Sequence, residues 1–170
     1  MRAAIISAFT ILVSCGNPAT DPTIKEQVPA PTSLAVDLAG SGFPLTVELG
    51  DAATLGVDSA QVKWNEEAGQ LEVRAGERFG ILITEEPGDI PRLKADLQRD
   101  QLRTSTIIEE KNDRLIWRSA FPDEEIVFVH FYRVVEADGR MFVVQDDDHG
   151  RYSEADVSRM AGAVRTKQPV

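Results

Sequence analysis

The sequence contains little cysteine, histidine or positive charge, and each shortage narrows the possible functions. Of its 170 residues, one is cysteine and two are histidine, so a disulfide framework is excluded and histidine-based triads have few ways to form. The 18 basic residues stand against 28 acidic ones, which gives a formal net charge of -10. Such a surface repels phosphates, so we expect no nucleic-acid partner and no docking on anionic lipid by charge.

A hydrophobic run long enough to span a membrane is missing at the N-terminus. The apolar stretch at residues 3–13 is shorter than the roughly 20 residues that a bilayer requires. It follows the positively charged Met1-Arg2 and ends in Leu12-Val13-Ser14-Cys15. This arrangement predicts the hydrophobic part of an export signal.

The four residues Leu12-Val13-Ser14-Cys15 resemble the lipobox of bacterial lipoproteins. The resemblance implies that residues 1–14 are removed as a signal peptide and that Cys15 is lipidated and becomes the new N-terminus. The partner of the protein is then a membrane, to which the covalent lipid on Cys15 attaches the chain. Two or three acyl chains anchor a protein stably. Gly16 after the cysteine implies the outer membrane, facing the periplasm, in a Gram-negative host. The alternative is an ordinary signal peptide whose cysteine is coincidental.

Proline is concentrated in the segment that follows the cysteine. Pro18, Pro22, Pro29 and Pro31 interrupt a stretch of small and polar residues. Proline at this density disfavours helices and strand pairing. Residues 15–32 are therefore predicted to be a lipidated N-terminus and tether, and residues 33–170 a single globular domain.

Within the predicted domain, most segments show strand periodicity and two show helical spacing. One helix is predicted after the capping residue Asp89, with Pro91 in its first turn. The other is predicted after Ser153, with Asp156 in a capping-box position and an apolar face that extends to Val164. The sequence therefore predicts an α+β fold, in which an antiparallel sheet of about six to seven strands carries two main helices.

The strands are predicted from alternating apolar residues. They fall at residues 45–49, 60–64, 71–75, 79–83, 104–110, 115–120, 125–135 and 141–145. The strand at 125–135 is apolar on both faces, which predicts a central strand covered on both sides. Asp138-Gly139 after it predicts a tight hairpin.

This order of elements is similar to the PsbP-like fold. That fold is shared by an extrinsic photosystem II subunit, a small Ran-binding import factor and the DcrB-type envelope lipoproteins. The resemblance covers residues 43–167 and includes the closing helix after Tyr152-Ser153. Because members of the fold have unrelated roles, it implies an architecture and no activity.

Asp146-Asp147-Asp148-His149 is the most concentrated polar cluster of the sequence. Asp146, Asp148 and His149 are candidate ligands of a divalent cation. The alternative is a solvated loop whose acids favour the N-terminus of the following helix.

Three isolated residues are further candidates. His130 lies in the apolar strand, where it is either a catalytic base or a core residue with a satisfied hydrogen bond. Trp64 and Trp117 are either core residues or parts of a binding patch, since tryptophan is enriched in interfaces.

Motifs for catalysis and cofactors are missing. No serine lies in a G-x-S-x-G elbow, and Gly40-Ser41-Gly42 lacks the lysine of a phosphate loop. The acidic groups at Glu109-Glu110 and residues 123–125 are charged strand ends or, less simply, a glycosidase carboxylate pair. We therefore expect no cofactor and a non-catalytic envelope protein that interacts with a partner or maintains the envelope. The alternatives are a small-molecule or metal-binding periplasmic protein and, more remotely, a cell-wall or glycan hydrolase.

Overall fold

The computed structural model describes residues 33–122 and 124–167. The lipobox, the tether and Asp123 lie outside the described residues. The described part contains one 3-10 turn at Ala39–Ser41 and the following strands and helices: β1 Ser33–Asp37, β2 Leu45–Asp51, α1 Ala52–Leu55, β3 Gln61–Asn65, β4 Gln70–Arg74, β5 Gly80–Glu85, α2 Ile90–Arg99, β6 Thr104–Lys111, β7 Arg114–Ala120, β8 Val127–Ala137, β9 Arg140–Asp146, α3 Glu154–Ala161 and β10 Val164–Thr166. None of the described helices has the length and apolar character needed to cross a membrane.

Seven strands form one antiparallel sheet in the order β3-β4-β5-β9-β8-β7-β6. The predicted α+β class is confirmed, as are the capped starts of α2 at Asp89 and of α3 at Ser153. The hairpin between β8 and β9 turns at Asp138 and Gly139, whose φ angles of 52° and 71° fit a turn that requires positive φ at both central positions.

A second sheet of three strands, in the order β1-β2-β10, was not predicted. This sheet corrects the expectation for Val164. The residue does not extend the apolar face of α3; it lies in β10 and pairs with Val47 of β2. The helix ends at Ala161 with Gly162 as its C-cap. Arg114 and Arg133 donate hydrogen bonds to the carbonyl of Ala161, which satisfies a helix-terminal acceptor. A strand as short as β10 is too brief to show a period of two.

The seven-stranded sheet has an inner face that packs against the small sheet and α3. Alternate residues of each strand point to this face, where they form one buried core. Full burial of such a side chain is worth about 1.5–3 kcal/mol. The largest contributors are Leu45, Leu49, Leu71, Phe79, Ile81, Ile83, Phe131, Phe142 and Met160.

The outer face of the sheet is covered only in part, by α2. The backbone N–H of Asp89, which caps α2, lies 3.3 Å from the Tyr132 hydroxyl, and Lys94 pairs with Glu110 at 2.6 Å. The buried apolar side chains on this side are few: Leu82, Ile90, Leu115 and Val143.

The expected cover on both faces of β8 is therefore wrong in part. Phe131 and Val135 are buried on the inner face, whereas Phe128 and His130 on the outer face are half-buried. These two lie in the half of the strand that α2 does not reach. Within the described part of the chain, the outer face beyond α2 is only partly removed from solvent.

Candidate functional site

The uncovered part of the outer face forms a cleft of about 440 Å³. The strand register brings its floor together, because Gln145 lies beside Leu82 of β5 and Trp117 lies beside His130 of β8. The loop that follows β9 forms one wall. We call this the sheet-face cleft, and it is lined by Gln70, Leu82, Trp117, His130, Phe131, Gln145, Asp146, Asp148 and His149.

A hydrogen-bonded Asp–His pair lies in the cleft. Pairing of β8 with β9 stops at Tyr132 and Gln145, so the next N–H of β8, that of Phe131, needs another acceptor. Asp146 supplies it, with Oδ1 2.7 Å from that nitrogen and Oδ2 2.8 Å from His130 Nδ1. Asp146 is only 7% exposed. The two hydrogen bonds therefore fix a carboxylate that is almost entirely removed from water.

This pair determines what His130 can offer a ligand. An ionised carboxylate only accepts hydrogen bonds, so Nδ1 carries the proton that it donates to Asp146. In the neutral ring Nε2 is then an acceptor, and in the protonated ring it is a second donor. Nδ1 of His130 thus has the hydrogen-bond partner that the sequence predicts for a core histidine. The ring is nevertheless half-buried and lines the cleft.

Aromatic rings surround His130. The ring of Trp117 lies 5.4 Å from that of His130 with an interplanar angle of 35°. The ring of Phe128 lies 6.3 Å away on a nearly parallel plane, at 17°. Trp117 and His130 line the cleft and are both half-buried, so its aromatic side is partly open to solvent.

The loop wall is held by an ion pair between the buried Asp147 and the exposed Arg74. Asp147 is 2% exposed, its carboxylate lies 2.7 Å from Arg74 Nη2, and its backbone N–H donates to the carbonyl of Gly80. Tyr152 packs beside this pair, and burial, reinforced by the charge of Asp147, raises the pKa of its hydroxyl to about 12. A second, smaller cleft of about 340 Å³ lies on this side of the loop.

His149 lies between two acids of the loop. Its Nδ1 is 3.1 Å from Asp147 Oδ1 and 2.8 Å from Asp148 Oδ1. The hydrogen bond to Asp147, followed by the one to Asp148, raises the pKa of His149 above 6.5. The two carboxylates thus stabilise the protonated ring relative to the neutral one.

The three metal candidates are not assembled as predicted. Asp146 faces His130, and the group whose ligand atoms lie within 4.8 Å of one another consists of Asp147, Asp148 and His149. A cation there would have to displace His149 from both carboxylates and compete with Arg74 for Asp147. Metal binding stays a prediction, now with a different set of donors.

The other candidates lie away from the cleft. Trp64 is at the sheet edge in β3, with its ring 6.1 Å from that of Phe43. Glu109 pairs with Lys111 and Arg114, as expected of a charged strand end. Of the two tryptophans, Trp117 belongs to the cleft and Trp64 does not.

Sequence reasoning missed the amides of the cleft. Gln70 and Gln145 line the sheet-face cleft together with Leu82 and His130, and nothing in their local sequence marks them as site residues. Gln145 alternates with the core residue Val144, so its outward position was readable. Its neighbours across the sheet depend on strand order, which one sequence does not reveal.

The likeness to the PsbP-like fold rests on the order of elements alone. The likeness to bacterial lipoproteins rests on four residues outside the described range, so both remain predictions. The chain matches no protein-family model, and comparisons with curated proteins and with solved structures find no match either.

Proposed function

We propose that this chain is a lipid-anchored envelope protein that binds a small polar ligand in the sheet-face cleft without transforming it. The observation that carries the proposal is the pair of Asp146 and His130. A carboxylate that is almost fully buried orients a half-buried imidazole next to Trp117. Small-molecule sites combine apolar and aromatic walls with a few oriented polar groups, and this cleft has that composition.

The size of the cleft supports the same function. Its volume of about 440 Å³ lies within the range of about 300–1,000 Å³ that is usual for small-ligand sites. Gln70 and Gln145 each contribute an amide with two donors and an acceptor. These groups suit recognition of a neutral polar molecule.

Thermal unfolding with added ligands tests the proposal. The full chain is heated with panels of neutral disaccharides, amino acids, nucleosides and inorganic phosphate at millimolar concentration. A ligand at a hundred times its Kd stabilises the folded state by about 2.7 kcal/mol and raises Tm. The shift should disappear in His130→Ala and Trp117→Ala and persist in Trp64→Phe, with folding of each variant checked by circular dichroism. If no compound shifts the parent chain, the proposal is wrong.

The anchoring part of the proposal is supported by the lipobox and by the charge. A chain with a net charge of -10 is repelled by anionic lipid, so a hold on the membrane needs the acyl chains on Cys15. Cys15→Ala, expressed with its signal, should leave the membrane fraction and lose palmitate labelling. Continued labelling of this variant would contradict the lipid anchor.

A second candidate function is the binding of a partner protein through β3. This strand is one edge of the seven-stranded sheet, residues 61–64 are exposed, and Val62 is 38% exposed. A free edge offers backbone groups to an added strand, so the occupant would be an extended segment of an envelope protein. Hydrogen exchange of residues 61–65 should slow when solubilised envelope proteins are added. Unchanged exchange would remove this candidate.

A further inference from the structure

The two sides of the sheet-face cleft differ in chemistry. On one side stand the rings of Trp117 and His130, 5.4 Å apart, with Phe128 beyond them. On the other side stand the amides of Gln70 and Gln145. A ligand that fills the cleft therefore meets a flat aromatic surface and planar hydrogen-bonding groups together.

The charges around the cleft disfavour an anionic ligand. Its two acids are Asp146, which is hydrogen-bonded to His130, and Asp148, which lies beside His149. Arg74 is 2.7 Å from Asp147, and Arg74 and Arg151 both line the other cleft. No lysine or arginine lines the sheet-face cleft among the described residues, so a phosphate would lack the charged donors that anion sites use.

Sugar rings match this combination of surfaces. One face of a pyranose carries C–H groups and packs on an aromatic ring, as apolar groups do on tryptophan. Its edge carries hydroxyl groups, each able to donate one hydrogen bond and accept others. An amide side chain offers donors and an acceptor in a fixed plane, so it can satisfy two neighbouring hydroxyls. The imidazole of His130 offers Nε2 alone, since Nδ1 is bonded to Asp146.

We infer that the ligand of the sheet-face cleft is a neutral mono- or disaccharide. Its ring stacks on Trp117, and its hydroxyls are bound by His130, Gln145 and Gln70. The Asp146 carboxylate acts through His130 by fixing Nδ1–H, so that Nε2 faces the sugar in one orientation. This inference rests on the proposed function and names the class of ligand that the same cleft takes.

Tryptophan fluorescence tests the inference directly, because the chain contains two tryptophans and only Trp117 lies in the cleft. The full chain is purified in a detergent without a sugar headgroup. Trp64→Phe leaves Trp117 as the one indole, and Trp117→Phe leaves Trp64. Both variants are titrated with cellobiose, maltose and N,N′-diacetylchitobiose.

At least one of these sugars should change the emission of the Trp64→Phe chain in a saturable way and leave the Trp117→Phe emission unchanged. Adding His130→Ala to Trp64→Phe should weaken the measured affinity at least tenfold. Gln145→Leu should weaken it by a smaller factor and change the preference between sugars, which loss of fold would not do.

Other titrations distinguish failure of this inference from failure of the proposed function. Choline, inorganic phosphate and free amino acids are added to the same Trp64→Phe chain. If one of them gives the saturable change and the sugars do not, the cleft is a ligand site and the saccharide class is wrong. If no compound changes the Trp117 emission, both the inference and the proposed function are overturned.

Discussion

The two faces of the seven-stranded sheet are built by the same alternation of side chains but are covered differently. The inner face is closed by a second sheet and by α3, and its core side chains are almost entirely removed from solvent. Among the residues that the structure describes, α2 is the helix that packs on the outer face, and Trp117, Phe128 and His130 are half-buried there. The difference separates residues that hold the fold together from residues that remain available to a ligand.

Polar groups follow the same division. On the inner side, Arg133 donates to the carbonyls of Ala161 and Val164, so its charge serves the end of α3. Burial lowers the pKa of this guanidinium, and Asp113 opposes that shift. On the outer side, His130 and Gln145 face the cleft. Thus Arg133 completes the end of a helix, whereas His130 and Gln145 line a concave surface.

The largest expected effect compares one phenylalanine from each face. Phe142 is fully buried and packs 5.6 Å from the ring of Phe43, so Phe142→Ala should lower the free energy of unfolding by about 3–5 kcal/mol. Phe128→Ala removes a half-buried ring from the open face and should cost about 1 kcal/mol, a small part of a full burial. Urea denaturation measures both.

Equal losses for the two variants would contradict the division between the faces. The slopes of the denaturation curves serve as a control, because a variant that changes only stability moves the midpoint and keeps the slope. A large loss for Phe128→Ala alone would show that the outer face, not the inner one, contains the main core.

An intermediate effect is expected where α2 meets the outer face. A Cβ atom at Gly88 would lie 2.2 Å from Cγ2 of Val134, so Gly88→Ala forces either the start of α2 or the Val134 side chain to move. Such overpacking costs about 1–3 kcal/mol. Gly40→Ala is the matched control, since its Cβ would meet nothing within 4 Å.

Urea denaturation measures the size of this loss, and hydrogen exchange shows where in the structure it occurs. Amides of residues 90–99 should exchange faster in Gly88→Ala, while those of β2 and α3 keep their protection. Loss of protection throughout the described residues would mean that α2 and the inner core unfold together. The outer cover would then be no weaker than the inner one.

The sequence was sufficient for most elements of the fold because their periodic segments are long enough to be read. The capping residues Asp89 and Ser153 each accept a hydrogen bond in the first turn of the helix that follows. The small sheet was missed because β10 is three residues long and its partner β2 lies more than a hundred positions away. Pairing over such a distance is a tertiary contact that local periodicity does not encode.

The site was predicted less well for a related reason. Asp146, His130 and Trp117 were each singled out, yet Asp146 was grouped with its sequence neighbours Asp148 and His149. The structure instead places its carboxylate on His130, across the strand pair. Alternation predicts the face on which a residue stands, whereas its neighbours on that face depend on the order of strands.

The smallest expected effect concerns the loop wall of the cleft. The pKa of His149 lies above 6.5 because Asp147 and then Asp148 hydrogen-bond to its ring. A raised pKa in the folded state means that the stabilisation is present below pH 6.5 and is lost as the pH rises through the folded value. Asp148→Asn keeps the shape and removes one charge, so the pKa of His149 should fall but stay above 6.5, since Asp147 remains.

NMR titration of the ring protons measures this pKa, and with two histidines in the chain the variant His149→Gln assigns the signals. Asp138→Asn is the matched control, because Asp138 lies in the turn at the opposite end of β9 and should leave the pKa of His149 unchanged. An identical pKa in the parent and in Asp148→Asn would mean that the loop does not hold His149 against both acids. The wall of the cleft would then be open at the point where the outer face meets its loop, and the contrast with the closed inner face would be sharper still.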